Sequence, residues 1–144
     1  MSKASQEGFS AEERAAMKER AKEVRPKRKG KTTPEDDANE VLAKIDEMTG
    51  SDRAIAERLH ELVAENTPEL LPKTWYGMPA YAKDGKIVVF FQGAEKFKSR
   101  YATIGFSDAA AIDDGTMWPA AYAVTELTAS AEKTIVALIK KAVS

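Results

Sequence analysis

Asp84-Gly85, a two-residue turn between runs of aromatic and β-branched residues, constrains the fold of this chain most strongly. A type I′ hairpin turn needs positive φ at both central positions, which Asp-Gly adopts at low cost. The next segment, Lys86–Gln92, has the continuous apolar centre of a strand that is covered on both faces. In the preceding strand, Tyr76–Tyr81, a glycine and a proline predict a break near residues 77–79.

Two amphipathic helices are predicted before this hairpin. Thr33-Pro34 starts the first, because threonine is a good cap and proline suits the first helical position, and Gly50 ends it. Ser51 caps the second, and Pro68 closes it. Apolar residues recur at helical spacing in both, so each helix has one face to bury, and the hairpin is the expected partner.

The C-terminal part of the chain predicts further strands and helices. Arg100–Phe106 alternates like a half-buried strand, and Ser107 is predicted to cap a short helix over Asp108–Asp113. A strand over Tyr122–Leu127 and a final helix capped by Ser130 follow. The pattern predicts an α+β fold, with a mainly antiparallel sheet and helices packed on it.

The N-terminal residues 1–32 are predicted to form a flexible arm that precedes a domain over residues 33–144. Ser10 and Glu13 form a capping box for one helix, Ala11–Val24, which has only a thin apolar stripe. A basic segment follows, formed by Arg25, Lys27, Arg28, Lys29 and Lys31. Such segments can contact nucleic-acid phosphates, but the net charge of the chain is only −1, which favours a solvated linker.

The amino-acid composition excludes several kinds of functional site. The chain has no Cys and one His, which excludes disulfides, iron–sulfur clusters and thiol nucleophiles. No phosphate-binding glycine spacing and no nucleophile–base pair is visible, so a non-enzymatic protein is expected. No segment has the length of a membrane span and no signal-peptide core is visible, so the expectation is a soluble cytoplasmic protein without a membrane partner.

Aromatic residues beside the kinked segments are the candidates for a ligand pocket, since rings with polar tips line small apolar sites. The alternative is that these rings belong to the core. The candidate pocket residues are Tyr76, Met78, Tyr81, Trp118 and Tyr122.

Acidic residues form two candidate metal clusters, because hard cations such as ferrous iron accept carboxylate ligands. The first cluster consists of Glu35, Asp36, Asp37 and Glu40, and the second of Asp108, Asp113 and Asp114. Compensation of the helix dipole is the alternative explanation for the first cluster. The single histidine, His60, is predicted to be a surface or boundary residue.

Several stretches resemble the YdhG-like family of small bacterial proteins, a domain of unknown function. The most specific is Tyr76-Gly-Met-Pro-Ala-Tyr81, followed by Lys83-Asp-Gly-Lys86, and Gly115-Thr-Met-Trp-Pro119 is similar to a second, weaker family stretch. The resemblance covers Val41–Ser144 and implies a compact α+β domain. Some members are described as frataxin-like iron chaperones, so the resemblance also implies iron as a possible cargo.

These observations give three hypotheses of function. The leading one is a non-enzymatic binding protein with an aromatic pocket, whose small-molecule or protein partner is unknown. The second is an iron-binding chaperone that uses the surface carboxylates. The third is a nucleic-acid-associated protein that acts through the basic arm.

Overall fold

The computed structural model describes Glu12, Glu13 and residues 33–144. Within this part, five antiparallel strands form one sheet and three helices accompany it, which confirms the predicted α+β class. The elements are α1 (Pro34–Asp46), α2 (Gly50–Asn66), β1 (Leu71–Trp75), β2 (Met78–Lys83), β3 (Lys86–Gln92), β4 (Ala102–Phe106), β5 (Ala121–Val124) and α3 (Ala129–Ala142).

The strands form a meander in which each strand pairs with the next one along the chain, in the order β1-β2-β3-β4-β5. Strands β2 and β3 meet at the predicted turn, where Lys83 pairs with Lys86. The two turn residues, Asp84 and Gly85, have φ values of +52° and +81°. Both are positive, as a type I′ turn requires, so the turn prediction is confirmed.

A second two-residue turn, Tyr76-Gly77, joins β1 to β2 and was not predicted. Its φ values are +52° and +75°, and Trp75 pairs with Met78 across it. The predicted break is therefore a complete chain reversal at residues 76 and 77, and β2 begins after it, at Met78. Glycine at the second position adopts positive φ freely, whereas the tyrosine is held there against its steric preference.

Pro79 lies inside β2, opposite Thr74 of β1. On its other side, the pairing of β2 with β3 stops at Ala80 and Phe90. Proline has no N–H to donate, so the ladder cannot continue through residue 79 toward β3. Beyond this point β2 and β3 do not pair with each other, and Met78, Pro79 and Phe91 line a cavity there.

The helices are fixed by caps and by their buried faces. In α1, the Thr33 N–H donates to the Asp36 carboxylate and the Asp36 N–H donates to the Thr33 hydroxyl, both at 3.1 Å, which is a capping box. Arg58 of α2 donates two hydrogen bonds of 2.9 Å to Glu132 of α3. The largest fully buried core side chains include Val41, Ile45, Leu59, Val63, Tyr81, Phe91, Ile104 and Ile139.

The short helix predicted over Asp108–Asp113 is absent, because its backbone groups and its cap residue bind elsewhere. The Ser107 hydroxyl donates to the Ile87 carbonyl instead of capping a helix. The Ala111 N–H donates to the Ala142 carbonyl over 3.0 Å. The last helix is capped by the Thr128 hydroxyl and not, as predicted, by Ser130.

The N-terminal arm lies largely outside the described residues. Glu12 and Glu13 are helical, and the Glu12 carboxylate lies 3.0 Å from the Lys98 ammonium. The other residues of the predicted helix Ala11–Val24 lie outside the described part, as does the whole basic segment Arg25–Lys31. None of the described helices is long and apolar enough to cross a bilayer.

Candidate ligand pocket

A pocket of about 290 Å³ lies where the α1–α2 turn meets the ends of β2 and β3. Such a volume is at the small end of ligand sites, which hold roughly 300–1,000 Å³. It therefore suits a molecule of about one ring with a short side chain. The pocket is lined by Lys44, Glu47, Met48, Thr49, Asp52, Gly77, Met78, Pro79, Phe91, Gly93, Glu95 and Lys96.

The floor of the pocket is apolar. Met78 is 7% exposed and Phe91 is fully buried, while Pro79 is among the fully buried side chains and Met48 packs against the core. The floor exists because Pro79 ends the β2–β3 ladder and the Tyr76-Gly77 turn carries the chain away beside it. An apolar ligand body placed here would exchange water for hydrocarbon contacts.

Asp52, in the first turn of α2, fixes one wall. Its carboxylate is almost fully buried and accepts hydrogen bonds from the Ala94 N–H at 3.0 Å and the Glu95 N–H at 2.9 Å. An added Cβ on Gly93 would stand 3.0 Å from Asp52 Oδ2, so glycine allows this close approach. The loop after β3 is thus bound to the start of α2.

Glu95 is held at the rim by a second contact between the same elements. Thr49 is the residue before α2, yet its hydroxyl makes no cap and donates to Glu95 Oε2 over 2.9 Å. Glu95 is exposed, and this hydrogen bond limits the positions of its carboxylate. Two carboxylates, those of Asp52 and Glu95, are therefore oriented before any ligand arrives.

The pocket is slightly acidic. Its lining contains three carboxylates, from Glu47, Asp52 and Glu95, against two ammonium groups. Lys44 lies 4.0 Å from Glu47, and the Lys96 ammonium lies 5.9 Å from the centre of the Phe97 ring. Both lysines also have other interactions. The formal charge of the lining is one negative unit at neutral pH, from three acids and two bases.

Of the five residues predicted to line a pocket, one lies in the pocket described here. Met78 lines the pocket described here, whereas the other four lie elsewhere. Tyr76 is in the β1–β2 turn, edge-on to the Trp75 ring with centroids 5.0 Å apart. Tyr122 packs edge-on to Phe106 at 6.2 Å. Tyr81 is fully buried in the core, and Trp118 is partly buried and packs against the core cluster.

His60 lies at the edge of the core and not on the open surface. Its Nδ1 atom is 2.9 Å from the Tyr81 hydroxyl. Burial raises the pKa of Tyr81, so the phenol stays protonated. Burial also lowers the pKa of His60, although the nearby Glu61 carboxylate opposes this. The tautomer of the imidazole sets which of the two side chains donates this hydrogen bond.

The candidate metal ligands do not converge. Asp36 is used in the α1 capping box, and Glu40 Oε2 accepts a hydrogen bond of 3.2 Å from the Thr74 hydroxyl. In the part of the chain that the structure describes, no three His, Asp or Glu side chains are arranged to hold a metal ion. This covers Glu35, Asp37 and the second cluster of Asp108, Asp113 and Asp114.

Sequence reasoning missed the acids that matter most in the pocket. Asp52 in a first helical turn has the pattern of an ordinary dipole-compensating acid. Only its partners, two amides more than forty positions along the chain, show its role. The one available signal was Gly93 directly after a strand, since glycine there often marks a close approach of other atoms.

The fold and the cavity define a class, an α+β domain with a small amphipathic pocket at one end of an antiparallel meander. The chain matches no protein-family model, no curated protein and no solved structure. The resemblance to the YdhG-like family stays a hypothesis drawn from the motif residues. The structure shows where three stretches of that resemblance lie. Tyr76-Gly77 and Asp84-Gly85 form turns, and Met78-Pro79 forms part of the pocket floor.

Proposed function

We propose that this chain is a small, cytoplasmic, non-enzymatic binding protein whose ligand occupies the pocket between the α1–α2 turn and the ends of β2 and β3. The observation that carries the proposal is the pocket of about 290 Å³ itself. It combines a buried apolar floor with carboxylates that are already oriented at its rim. This combination is typical of sites that bury an apolar body and position one polar group.

The two oriented carboxylates, in the wall and at the rim of the pocket, indicate the class of ligand. Asp52 and Glu95 present only acceptor oxygens when ionised, and each carboxylate has lone pairs beyond those used in its known contacts. A ligand that brings hydrogen-bond donors, above all an ammonium group, would satisfy them. Charge-assisted hydrogen bonds are about twice as strong as neutral ones. We therefore expect a single-ring or similarly small amine.

The lysines of the lining do not favour an anion instead. The Lys44 side chain is near Glu47, and the ammonium of Lys96 lies over a phenyl ring. An anionic ligand would have to compete with these contacts and face Asp52 and Glu95 as well. Repulsion between an anionic ligand and these two carboxylates would disfavour binding in a partly buried site.

Three probes that share a phenyl ring test the proposal: benzylamine, benzyl alcohol and benzoate. Each is titrated into the full chain labelled with ¹³C at the methionine methyl groups. Met48 and Met78 line the pocket, whereas Met117 is 87% exposed and does not line it, so it is an internal control. The expected result is saturable shifts of the Met48 and Met78 methyl signals, strongest for benzylamine and weakest for benzoate.

Matched variants separate the pocket from general effects. Met48→Gln and Met117→Gln make the same chemical change inside and outside the pocket. Met48→Gln should weaken benzylamine binding several-fold, while Met117→Gln should leave it unchanged. Equal weakening by both variants, or probe shifts that affect Met117 as much as Met78, would reject the pocket. A stronger response to benzoate than to benzylamine would reject the ligand class alone.

Two hypotheses from the sequence remain proposals beside this one. Iron handling rests on the family resemblance, with Glu35, Asp36, Asp37 and Glu40 as its candidate ligands. Nucleic-acid binding rests on the basic segment Arg25–Lys31. Paramagnetic broadening by ferrous iron tests the first, and loss of a salt-dependent affinity on deletion of residues 1–32 tests the second.

A further inference from the structure

Strand β5 is an edge strand of the sheet. The alternation of its hydrogen bonds to β4 determines which of its backbone N–H and C=O groups point outward. The Phe106 N–H donates to the Ala120 carbonyl over 2.7 Å, and the register continues with Ile104 opposite Tyr122. Paired residues alternate in an antiparallel ladder between those that exchange hydrogen bonds and those that do not. The N–H and C=O groups of Ala121 and Ala123 therefore point away from β4.

Strand β5 itself, Ala121–Val124, contains no charged residue, no proline and no bulge that would discourage strand pairing. Natural edge strands carry charged side chains, prolines or bulges that discourage contact with another strand. The segment Gly115–Thr125 is the longest uncharged run in a chain that is 31% charged. Ala121 and Ala123 are small and exposed, and Met117, in the loop before the strand, is 87% exposed.

We propose that two copies of this chain associate by antiparallel pairing of their β5 strands. A two-fold axis beside Tyr122 places Ala121 opposite Ala123 of the partner subunit, so that each pair can exchange both N–H···O hydrogen bonds. The meander then continues from one copy into the other as a single sheet.

A second copy fits this edge better than other occupants for two reasons. An antiparallel pair of identical strands centred on Tyr122 is in register with itself, because the outward groups lie one residue on either side of that centre. No charge is present in Gly115–Thr125, so two copies meet there without like-charge repulsion. The short length of β5, from Ala121 to Val124, makes the dimer weak and concentration-dependent.

Two substitutions at one position test the pairing. Ala123→Pro removes an outward N–H that makes no hydrogen bond to β4. Ala123→Ser is the control, because it keeps this N–H and introduces a side chain only slightly larger than that of alanine. Sedimentation equilibrium of the full chain from micromolar to millimolar concentration should show a doubling of mass for the wild type and for Ala123→Ser. Ala123→Pro should remain monomeric, with an unchanged near-ultraviolet circular dichroism spectrum that shows a folded domain.

Hydrogen exchange gives a second measurement that needs no substitution. Protection of the Ala121 and Ala123 amides should increase with protein concentration, while the Tyr122 amide, which faces β4, should not change. A wild-type monomer at millimolar concentration would overturn the proposal. A dimer that survives Ala123→Pro would also overturn it, since the interface would then lie elsewhere. Pairing of β5 with an added extended peptide, without self-association, would overturn the choice of a second copy.

Discussion

The ring of Phe90 in β3 lies directly over Gly105 in β4. The two residues are paired across the sheet, and a Cβ atom on Gly105 would stand 2.2 Å from Cζ of the ring. The centre of the Phe90 ring also lies 5.2 Å from that of Trp75, with the two rings tilted by 55°, so glycine at 105 leaves room for an aromatic contact on this face of the sheet. The glycine is needed for space and not for backbone conformation.

Gly105→Ala is therefore expected to destabilise the domain, because the ring must move or β4 must shift. Overpacking of this kind costs about 1–3 kcal/mol. Chemical denaturation measures the loss. Phe90→Leu removes the clash, so the cost of Gly105→Ala should be much smaller in that background. Equal costs in both backgrounds would contradict the contact.

Gly85→Val is expected to lower the free energy of unfolding because of its backbone conformation and not because of lack of space. Nothing lies within 4 Å of a Cβ at this position, but its φ of +81° is strained for a β-branched residue. A residue held in such a region costs about 1–3 kcal/mol. Gly85→Asn is the control, because asparagine tolerates positive φ, and its denaturation midpoint should lie between those of Gly85→Val and the wild type.

Asp52→Asn should both destabilise the domain and weaken benzylamine binding. An amide accepts through one atom only, so one of the two loop N–H groups would face another donor, at a cost of about 1–3 kcal/mol. Asp46→Asn is the matched control. Asp46 pairs with Arg53 at 3.2 Å on the exposed surface, where an ion pair contributes roughly 0–1 kcal/mol. Thermal unfolding and the methionine-methyl titration should both separate the two variants.

The pH dependence of stability should contain a contribution from His60. The pKa of His60 is lowered in the folded protein, so between that pKa and the unfolded value of about 6.5 the unfolded chain binds more protons. The contribution to stability is complete above about pH 6.5 and is lost as the pH falls toward the folded pKa.

His60→Gln should flatten this part of the curve, since the chain has no other histidine. The measurement is the change in unfolding free energy between pH 7.5 and pH 5.5, compared for wild type and variant. The wild type should lose more stability over this range. Parallel curves would show that His60 has the same pKa in both states.

The fold was predictable where local chemistry decides it. Asp84-Gly85 permits few alternatives to a tight hairpin, and the cap at Thr33 is local as well. The prediction went wrong at Tyr76-Gly77, because tyrosine rarely takes positive φ and sequence alone favours a bulge. It went wrong at Ser107 because a distant carbonyl, that of Ile87, takes the hydroxyl that a helix would have used.

The pocket was less predictable, because most of its features depend on contacts between distant segments. Met78 was identified from the proline beside it. Tyr81 was assigned to the same pocket, yet its side chain is fully buried in the core, where its hydroxyl lies 2.9 Å from His60 Nδ1. Asp52 and Glu95 had no pattern of their own, since their roles arise only when α2 meets the loop after β3.

The sequential order of the strands has a consequence for how the domain folds. Strands β1, β2 and β3 are joined by two-residue turns, so their pairing closes very small loops, whereas β4 and β5 are separated by residues 107–120. The entropy lost on closing a loop rises with its length, and folding is faster where contacts are local. The two tight hairpins should therefore form early and β5 should join late. The edge formed by β5 is then the last part of the sheet to form, and until β5 has paired, β4 is the exposed edge on that side.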